Sequence, residues 1–503
     1  MPISLRSMPV FKRTALALAC AAAFTTASAA EVDPAIAVGA RAPGGVDALL
    51  VFPPAEAALA PLSPDADYKL RRRHLVATLR SHADETQRDV RAWLDARGIA
   101  HRDYWIANVI ETHLTSTVLG ALAARDDVVR IAGNPHLPGG IPRPQPAGPD
   151  TPTAPASITW GVQKIGAPLA WAAGDTGQGV VIGGEDTGYQ WDHPALIDHY
   201  RGWDGTEADH DYNWHDAIHD SVGNPCGNDS PFPCDDYGHG THTAGTFAGS
   251  DGGSHQIGVA PGAKWIGCRN MDAGTGTPAR YIECMQWMLA PTDLAGQNPD
   301  PDLAPDVISN SWSCTPSEGC TVGDEIEGAV DALVEGGIFF AAAAANDGPS
   351  CGSITGPPAI YDASFVVGAT DSGDRLADFS SRGPVAGDTT IRPDVSGPGV
   401  SVLSSIPVNQ YTTMDGTSMA TPHIAGAAAL VMSIDPALKG NPAAVADILR
   451  ETAVTAGVTD PYNNGCGGLT MDQWPNYQAG WGRVDVWAAV QMADTEFADG
   501  FDD

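Results

Sequence analysis

The chain has 503 residues, of which 43% are hydrophobic and 17% charged, and a formal net charge of −34. That composition allows a large apolar core and more than one domain, and it excludes a collagen-like chain. The acidity is concentrated in residues 151–503, where 11 Lys+Arg face 46 Asp+Glu, which argues against nucleic acid or an anionic membrane as partner.

At the N-terminus, Arg6, Lys12 and Arg13 lead into the short apolar stretch TALALACAAAF, and Ala27–Ala29 or Ser28–Ala30 offers a small-residue cleavage site. Residues 1–30 therefore read as a secretory signal. The apolar run is shorter than the ~20 residues a membrane span needs. The protein is expected to be secreted, extracellular or periplasmic, with no membrane association after signal removal. Cys20 leaves with the signal, and the cysteines beyond it form an even set, as disulfides in an exported protein do. Close spacing favours Cys226–Cys234 and Cys314–Cys320. None has the C-x-x-C spacing of a zinc site.

Residues 31–136 read as a small α+β domain. Asp47–Phe52 is strand-like. Arg71–Gly98 carries helical apolar spacing at Leu75, Leu79, Val90 and Leu94, with Gly98 as a stop. RDYWIANVIETHL follows as strand material, STVLGALAARDD as a helix with Ser116 as N-cap, and VVRIAGN as a closing strand. The Pro- and Gly-rich stretch that follows, residues 137–157 in its main part, reads as an extended, exposed linker.

From residue 158 to 495 the pattern changes. Apolar runs at GVVIGGEDTG, DVISNSWS, GGIFFAAAAAN and SFVVGAT alternate with helical segments at TVGDEIEGAVDALVEGG, GTSMATPHIAGAAALVMSI and NPAAVADILRETA. Strands apolar on both faces and interleaved with helices predict an α/β fold, a parallel sheet with helices on both faces. Functional sites in such folds gather at the carboxyl ends of strands, where Asp186 and Asn346 fall. Residues 496–503 form an acidic tail, read as disordered.

Three short blocks carry chemistry. In DGTSMATPHIAG, Ser418 stands at the start of a helix of small residues, near the positive end of its dipole. In HGTHTAG, His239 lies between two glycines that leave the imidazole accessible. In GGEDTG, Asp186 ends an apolar strand, where a carboxylate can hold a histidine tautomer. Alone, these residues would be an N-cap, a loop histidine and a turn residue. A metal-binding pair of His239 and His242 lacks a completing carboxylate such as that of H-E-x-x-H, so His242 is expected to be packed or hydrogen-bonded locally.

Together, in the order Asp186, His239, Ser418, the blocks resemble the signature blocks of subtilisin-like serine peptidases. The resemblance spans about Trp160 to Val490. The insert with DYNWHDAIHD resembles the bacillopeptidase F branch, and residues 31–136 resemble a subtilase propeptide. The resemblance implies a secreted endopeptidase made as a zymogen and active on protein or peptide substrates as a monomer, with its own propeptide as intramolecular inhibitor. Ser418 is then the nucleophile, His239 the base and Asp186 the orienting carboxylate, with Asn346 in the oxyanion hole. Ser311, Trp312 and Ser313 align with one substrate-binding edge, Gly274, Thr275 and Gly276 with the other, and Ala344 and Ala345 with the pocket wall. Ser313 and Ala345 stand where the family usually has glycine. No cofactor is implied for the chemistry. Structural calcium is an open expectation, because Ala195 replaces an aspartate of the family's strong site and Asp251 is the carboxylate left in its loop. The carboxylates Asp204, Asp209, Asp211, Asp229, Asp235 and Asp236 are either a second cation site or a solvated loop. Two alternatives share the site: a peptide ligase or cyclase, and an inactive peptide-binding pseudo-protease.

Overall fold

The computed structural model describes residues 29–55, 67–138, 141–143, 157–314 and 324–499. Residues 1–28 of the predicted signal, Cys320, most of the linker and the last four residues lie outside this range. The N-terminal unit is a five-stranded sheet in the order β1-β5-β2-β4-β3. Its strands are β1 (Glu31–Val32), β2 (Val46–Val51), β3 (His101–Tyr104), β4 (Val109–Leu114) and β5 (Arg130–Gly133). Helices α1 (Tyr68–Thr86), α2 (Arg88–Asp95) and α3 (Ser116–Ala123) complete it. Strand alternation splits β2 between two cores: Ala48 and Leu50 pack within the unit, while Leu49 packs into the core shared with the larger unit.

Two local expectations are corrected. The single helix predicted over Arg71–Gly98 is two, α1 and α2, meeting at Gln87. The Gln87 side chain is buried and donates to Asn108 Oδ1 at 3.0 Å and Tyr104 O at 3.4 Å, so the break is fixed by the β3–β4 hairpin. Ser116 is not an N-cap, because its hydroxyl donates to Ala40 O at 2.8 Å and Thr115 takes the cap position.

The larger unit is built on a seven-stranded parallel sheet. Its strands are β7 (Val181–Asp186), β8 (Trp214–Asp216), β9 (Lys264–Arg269), β12 (Val307–Asn310), β13 (Phe339–Ala343), β14 (Phe365–Thr370) and β15 (Val395–Pro398). Their order is β15-β14-β13-β12-β7-β9-β8. Helices α4 (His239–Ala248), α7 (Thr417–Ile434), α8 (Pro442–Glu451) and α9 (Val486–Asp499) pack in the core on one face, and α5 (Pro278–Leu289) and α6 (Asp324–Glu335) in the core on the other. This is the predicted α/β architecture. Helix α7 is long and apolar enough to cross a membrane, but it is packed inside this core. Helix α9 extends to Asp499, into the stretch read as a disordered tail.

The linker also departs from expectation. Its start, β6 (Leu137–Pro138), pairs antiparallel with β11 (Thr275–Gly276), which in turn pairs with β10 (Met271–Asp272). Leu137 is 1% exposed. Proline is excluded from a central strand but tolerated at an edge, and Leu137–Pro138 is an edge strand of this three-stranded sheet, paired with a segment remote in sequence. Cys226–Cys234 forms as expected, and Cys268–Cys284 and Cys351–Cys466 form besides. Cys314 is disulfide-bonded, while its expected partner Cys320 lies outside the described residues.

Candidate active site

Asp186 closes strand β7 and His239 opens helix α4. Gly238, with φ of 99°, makes the left-handed turn that starts that helix. The two side chains meet in the interior, where His239 Nδ1 donates to Asp186 Oδ1 at 2.7 Å and Oδ2 at 2.9 Å. Asp186 also accepts from Thr187 N at 2.7 Å and Thr243 Oγ1 at 3.2 Å. With Nδ1 donating, Nε2 is left as the acceptor nitrogen, and it has no hydrogen-bond partner. The imidazole is 0% exposed, so the accessible histidine expected from its glycine neighbours is instead enclosed in this form of the chain.

Ser418 is the second residue of α7, which packs against α4. Its Oγ donates to Ser311 O at 2.9 Å, and Ser311 Oγ donates back to Ser418 O at 3.0 Å. Ser311 follows β12, whose Asn310 lies directly across from Glu185 of β7. The register therefore sets Ser311 and Ser418 at the carboxyl end of the strand beside Asp186. Glu185 itself is fully buried, and burial pushes its carboxyl well above the usual range.

Asn346 follows β13. Its Oδ1 accepts from Thr417 N at 2.9 Å and Thr417 Oγ1 at 3.0 Å. A backbone N–H can only donate, which fixes the amide so that Nδ2 is its other, donor end. Thr417 immediately precedes Ser418. Ala345 sits at φ of 74°, in the left-handed region that favours glycine.

The remaining predicted residues fall into three groups. Gly274, Thr275 and Gly276 form the edge that β6 pairs with. Trp312 is buried and stacks on Tyr281 with ring centroids 3.7 Å apart, while Ser313 is half-buried beside it. Ala344 and Ala345 are buried at the end of β13.

Some organising residues escaped the sequence reading. Asp235, grouped there with the acidic insert, accepts five hydrogen bonds: from Thr187 Oγ1 at 2.9 Å, Tyr237 N at 3.0 Å, Gly238 N at 2.7 Å, Thr241 N at 3.0 Å and Thr241 Oγ1 at 2.6 Å. Thr187 Oγ1 in turn accepts from Gly240 N at 3.0 Å. This network ties the turn after Asp186 to the first turn of the His239 helix. The one sequence signal was the position of Asp235 four residues before His239.

His242 is a locally bonded residue, as expected. Its Nε2 donates to Val402 O at 3.0 Å and Thr412 O at 3.2 Å. Burial first, and then the nearby His239, lower its pKa to about 3, which keeps it neutral. The calcium loop does not fit a calcium ion. Ala195 contributes no side-chain oxygen, and Asp251 is already engaged by Gly253 N at 2.8 Å, His255 N at 2.9 Å and His255 Nδ1 at 2.7 Å. The acidic insert does not converge either: Asp204 closes its own turn, Asp211 holds Leu294 N, Asp229 pairs with His219 and Asp236 with Arg269. Among the described residues, no group of three His, Cys, Asp or Glu could hold a metal ion.

The Asp186 carboxylate holds Nδ1 of His239, and Ser418 stands at the N-terminus of a helix that packs against the His239 helix, with its Oγ turned to Ser311 O. The profile of the subtilase family matches residues 177–482. The chain belongs to the subtilase family. It is 36% identical to Bacillopeptidase F of Bacillus subtilis (strain 168) over 455 residues, covering 85% of this chain and 30% of that protein. It is 34% identical to Subtilisin E of the same strain over 311 residues, covering 61% of this chain and 69% of that protein. With Subtilisin Savinase of Lederbergia lenta it shares 33% identity over 61% of this chain and 96% of that protein. As a subtilase the chain needs no cofactor for chemistry. The match to Bacillopeptidase F reaches beyond the subtilase region, and this chain spans less than a third of that relative's length.

Proposed function

We propose that this subtilase is a secreted serine endopeptidase, made as a zymogen, that cleaves peptide bonds through a Ser418 acyl-enzyme. The observation that carries the reading is the buried Asp186–His239 pair, whose Nε2 has no hydrogen-bond partner, on a helix packed against α7. Rotation of Ser418 about its Cα–Cβ bond releases Oγ from Ser311 O and turns it to Nε2. His239 then takes the hydroxyl proton as Oγ attacks the substrate carbonyl, and returns it to the leaving amine. Asp186 holds the tautomer and stabilises the imidazolium. The negative oxygen of the tetrahedral intermediate is received by the Ser418 backbone N–H, orphaned in the first helical turn, and by Asn346 Nδ2. Water repeats the sequence to release the acyl group.

Residues 31–136 serve as propeptide. Their sheet docks on the first turns and outer faces of α5 and α6. Asn134 Oδ1 accepts from Ala279 N at 3.0 Å, Gln286 Oε1 accepts from Trp105 N at 2.7 Å, and Arg130 pairs with Glu325 at 3.1 Å. The segment leaving this unit then pairs with Thr275–Gly276, main chain to main chain, as an extended substrate does on a sheet edge. Export through the signal in residues 1–30 fits the disulfides.

Ser418→Ala is expected to abolish casein hydrolysis and to leave the full-length precursor uncut on a gel. Hydrolysis at the wild-type rate by that variant would sink the mechanism. The Ser418 hydroxyl turned to Ser311 O is also what an inactive peptide-binding relative would retain, so labelling of matured protein by a fluorophosphonate separates the two readings.

A further inference from the structure

The segment that follows the N-terminal unit touches one side chain that the peptidase reading does not use. After β6, the Ile141 carbonyl accepts a hydrogen bond from Tyr237 Oη at 3.3 Å. Two residues on, the Arg143 guanidinium carbon lies 5.0 Å from the centroid of the Tyr237 ring. Between them Pro142 lies beside Gly416, where a Cβ on the glycine would meet Pro142 Cγ at 3.0 Å. Gly416 is two residues before Ser418. Leu137–Pro138 therefore lies on the edge at Gly276, and residues 141–143 lie against Tyr237 and the start of the Ser418 helix.

Tyr237 is firmly placed. It stands two residues before His239, and its N–H donates to Asp235 Oδ1 at 3.0 Å. Its ring lies against Gly274, where a Cβ would meet Tyr237 Cε2 at 2.8 Å. Only a glycine at that point lets the ring lie against the substrate edge.

We propose that Tyr237 is a specificity-determining residue: its hydroxyl binds a main-chain carbonyl of the bound peptide, and its ring face receives an Arg or Lys side chain two residues further on. The hydroxyl at the ring's edge meets the carbonyl of residue 141 while the ring face meets the side chain of residue 143, so one ring serves both contacts. The ring face attracts a cation, and the planar, weakly hydrated guanidinium stacks on it better than an ammonium. The net negative charge of residues 151–503 draws cationic peptides toward the cleft. In register, the favoured cation stands six residues after the one that pairs with Gly276, as Arg143 follows Leu137.

This proposal rests on the peptidase reading, and the test separates the two. Peptides with the sequence of residues 135–146, one native and one carrying Arg143→Ala, compete with casein for enzyme matured from the full chain. Competition reports binding whether or not the peptide is cut. The native peptide is expected to compete about 2- to 5-fold more strongly. Tyr237→Phe keeps that ratio, and Tyr237→Leu brings it to about one, with thermal melting to confirm that both variants are folded. Equal competition by the two peptides, no competition by either, a preference that survives Tyr237→Leu, or one that vanishes in Tyr237→Phe overturns the proposal. Failure to hydrolyse casein at all would instead overturn the peptidase reading.

Discussion

Asn346 carries the most with the fewest contacts. Two hydrogen bonds from Thr417 to Oδ1 fix the direction of its amide, and the donor end is what the proposed oxyanion needs. Loss of such a donor in a subtilisin lowers kcat by about 10²–10³. Asn346→Ala is expected to do the same here, with KM little changed, because the oxyanion exists only in the transition state. Steady-state kinetics on a peptide substrate decides it, and a variant with wild-type kcat would remove Asn346 from the mechanism. Its neighbour Ala345 holds a backbone angle that favours glycine. Asp186, His239 and Ser418 were proposed from the sequence because their three blocks, taken together in order, resemble the family's signature blocks, and Asn346 because that resemblance implies it. Asp235 and Tyr237 were not, because their partners Thr187 and Arg143 are 48 and 94 positions away.

The site depends on how closely two elements approach each other. Helix α4 lies so near the turn after β7 that a Cβ on Gly240 would sit 2.1 Å from Gly188 O and 3.0 Å from Asp186 Cβ. Gly240→Ala cannot be absorbed by a flexible side chain, since the obstacle is backbone. It is expected to destabilise the fold by about 1–3 kcal/mol and to lower kcat by shifting His239 away from Asp186. Denaturant unfolding and kinetics on the same preparation test both halves. In the larger unit β7, β12, β13, β14, α6, α7 and α8 followed from apolar runs and helical spacing, while β8, β9, β15, α5 and α9 were not read from the sequence. The break at Gln87 and the burial of Leu137 were not either, because a hairpin in one case and a sheet edge in the other overrode local propensity.

At the scale of the whole chain, the two units meet around a partly buried ionic cluster. His219 donates from Nδ1 to Asp229 and from Nε2 to Glu283, and His215 Nε2 donates to Glu283 at 2.8 Å. Tyr104 of the N-terminal unit adds its hydroxyl to Glu283 at 3.0 Å. Burial opposes charge on His219, but the bonds to Glu283 and Asp229 outweigh it and push its pKa up to about 9. Burial likewise opposes the Glu283 anion, and the two histidines overcome it, holding Glu283 well below the usual carboxylate range. A raised pKa gives stability that is complete below the ordinary histidine value of 6.5 and is lost as pH rises through about 9. The Glu283 contribution is present above its ordinary value of 4.5 and is lost on acidification. The melting temperature of the Ser418→Ala precursor is therefore expected to fall between pH 6.5 and 9, and His219→Gln to flatten that fall. A slope unchanged in His219→Gln would assign the pH dependence elsewhere.

The sequence by itself determined the family, the α/β class and the residues of the proposed triad. Each of these is written in contiguous residues, as apolar runs or as short blocks that together resemble the family's own. Only the tertiary structure decided which nitrogen of His239 faces Asp186, where the Ser418 hydroxyl points and that Asp235 ties their two elements together. It likewise placed Ile141 and Arg143 against Tyr237. Those are contacts between side chains far apart in the chain, and their geometry follows from strand register and helix packing rather than from neighbouring residues.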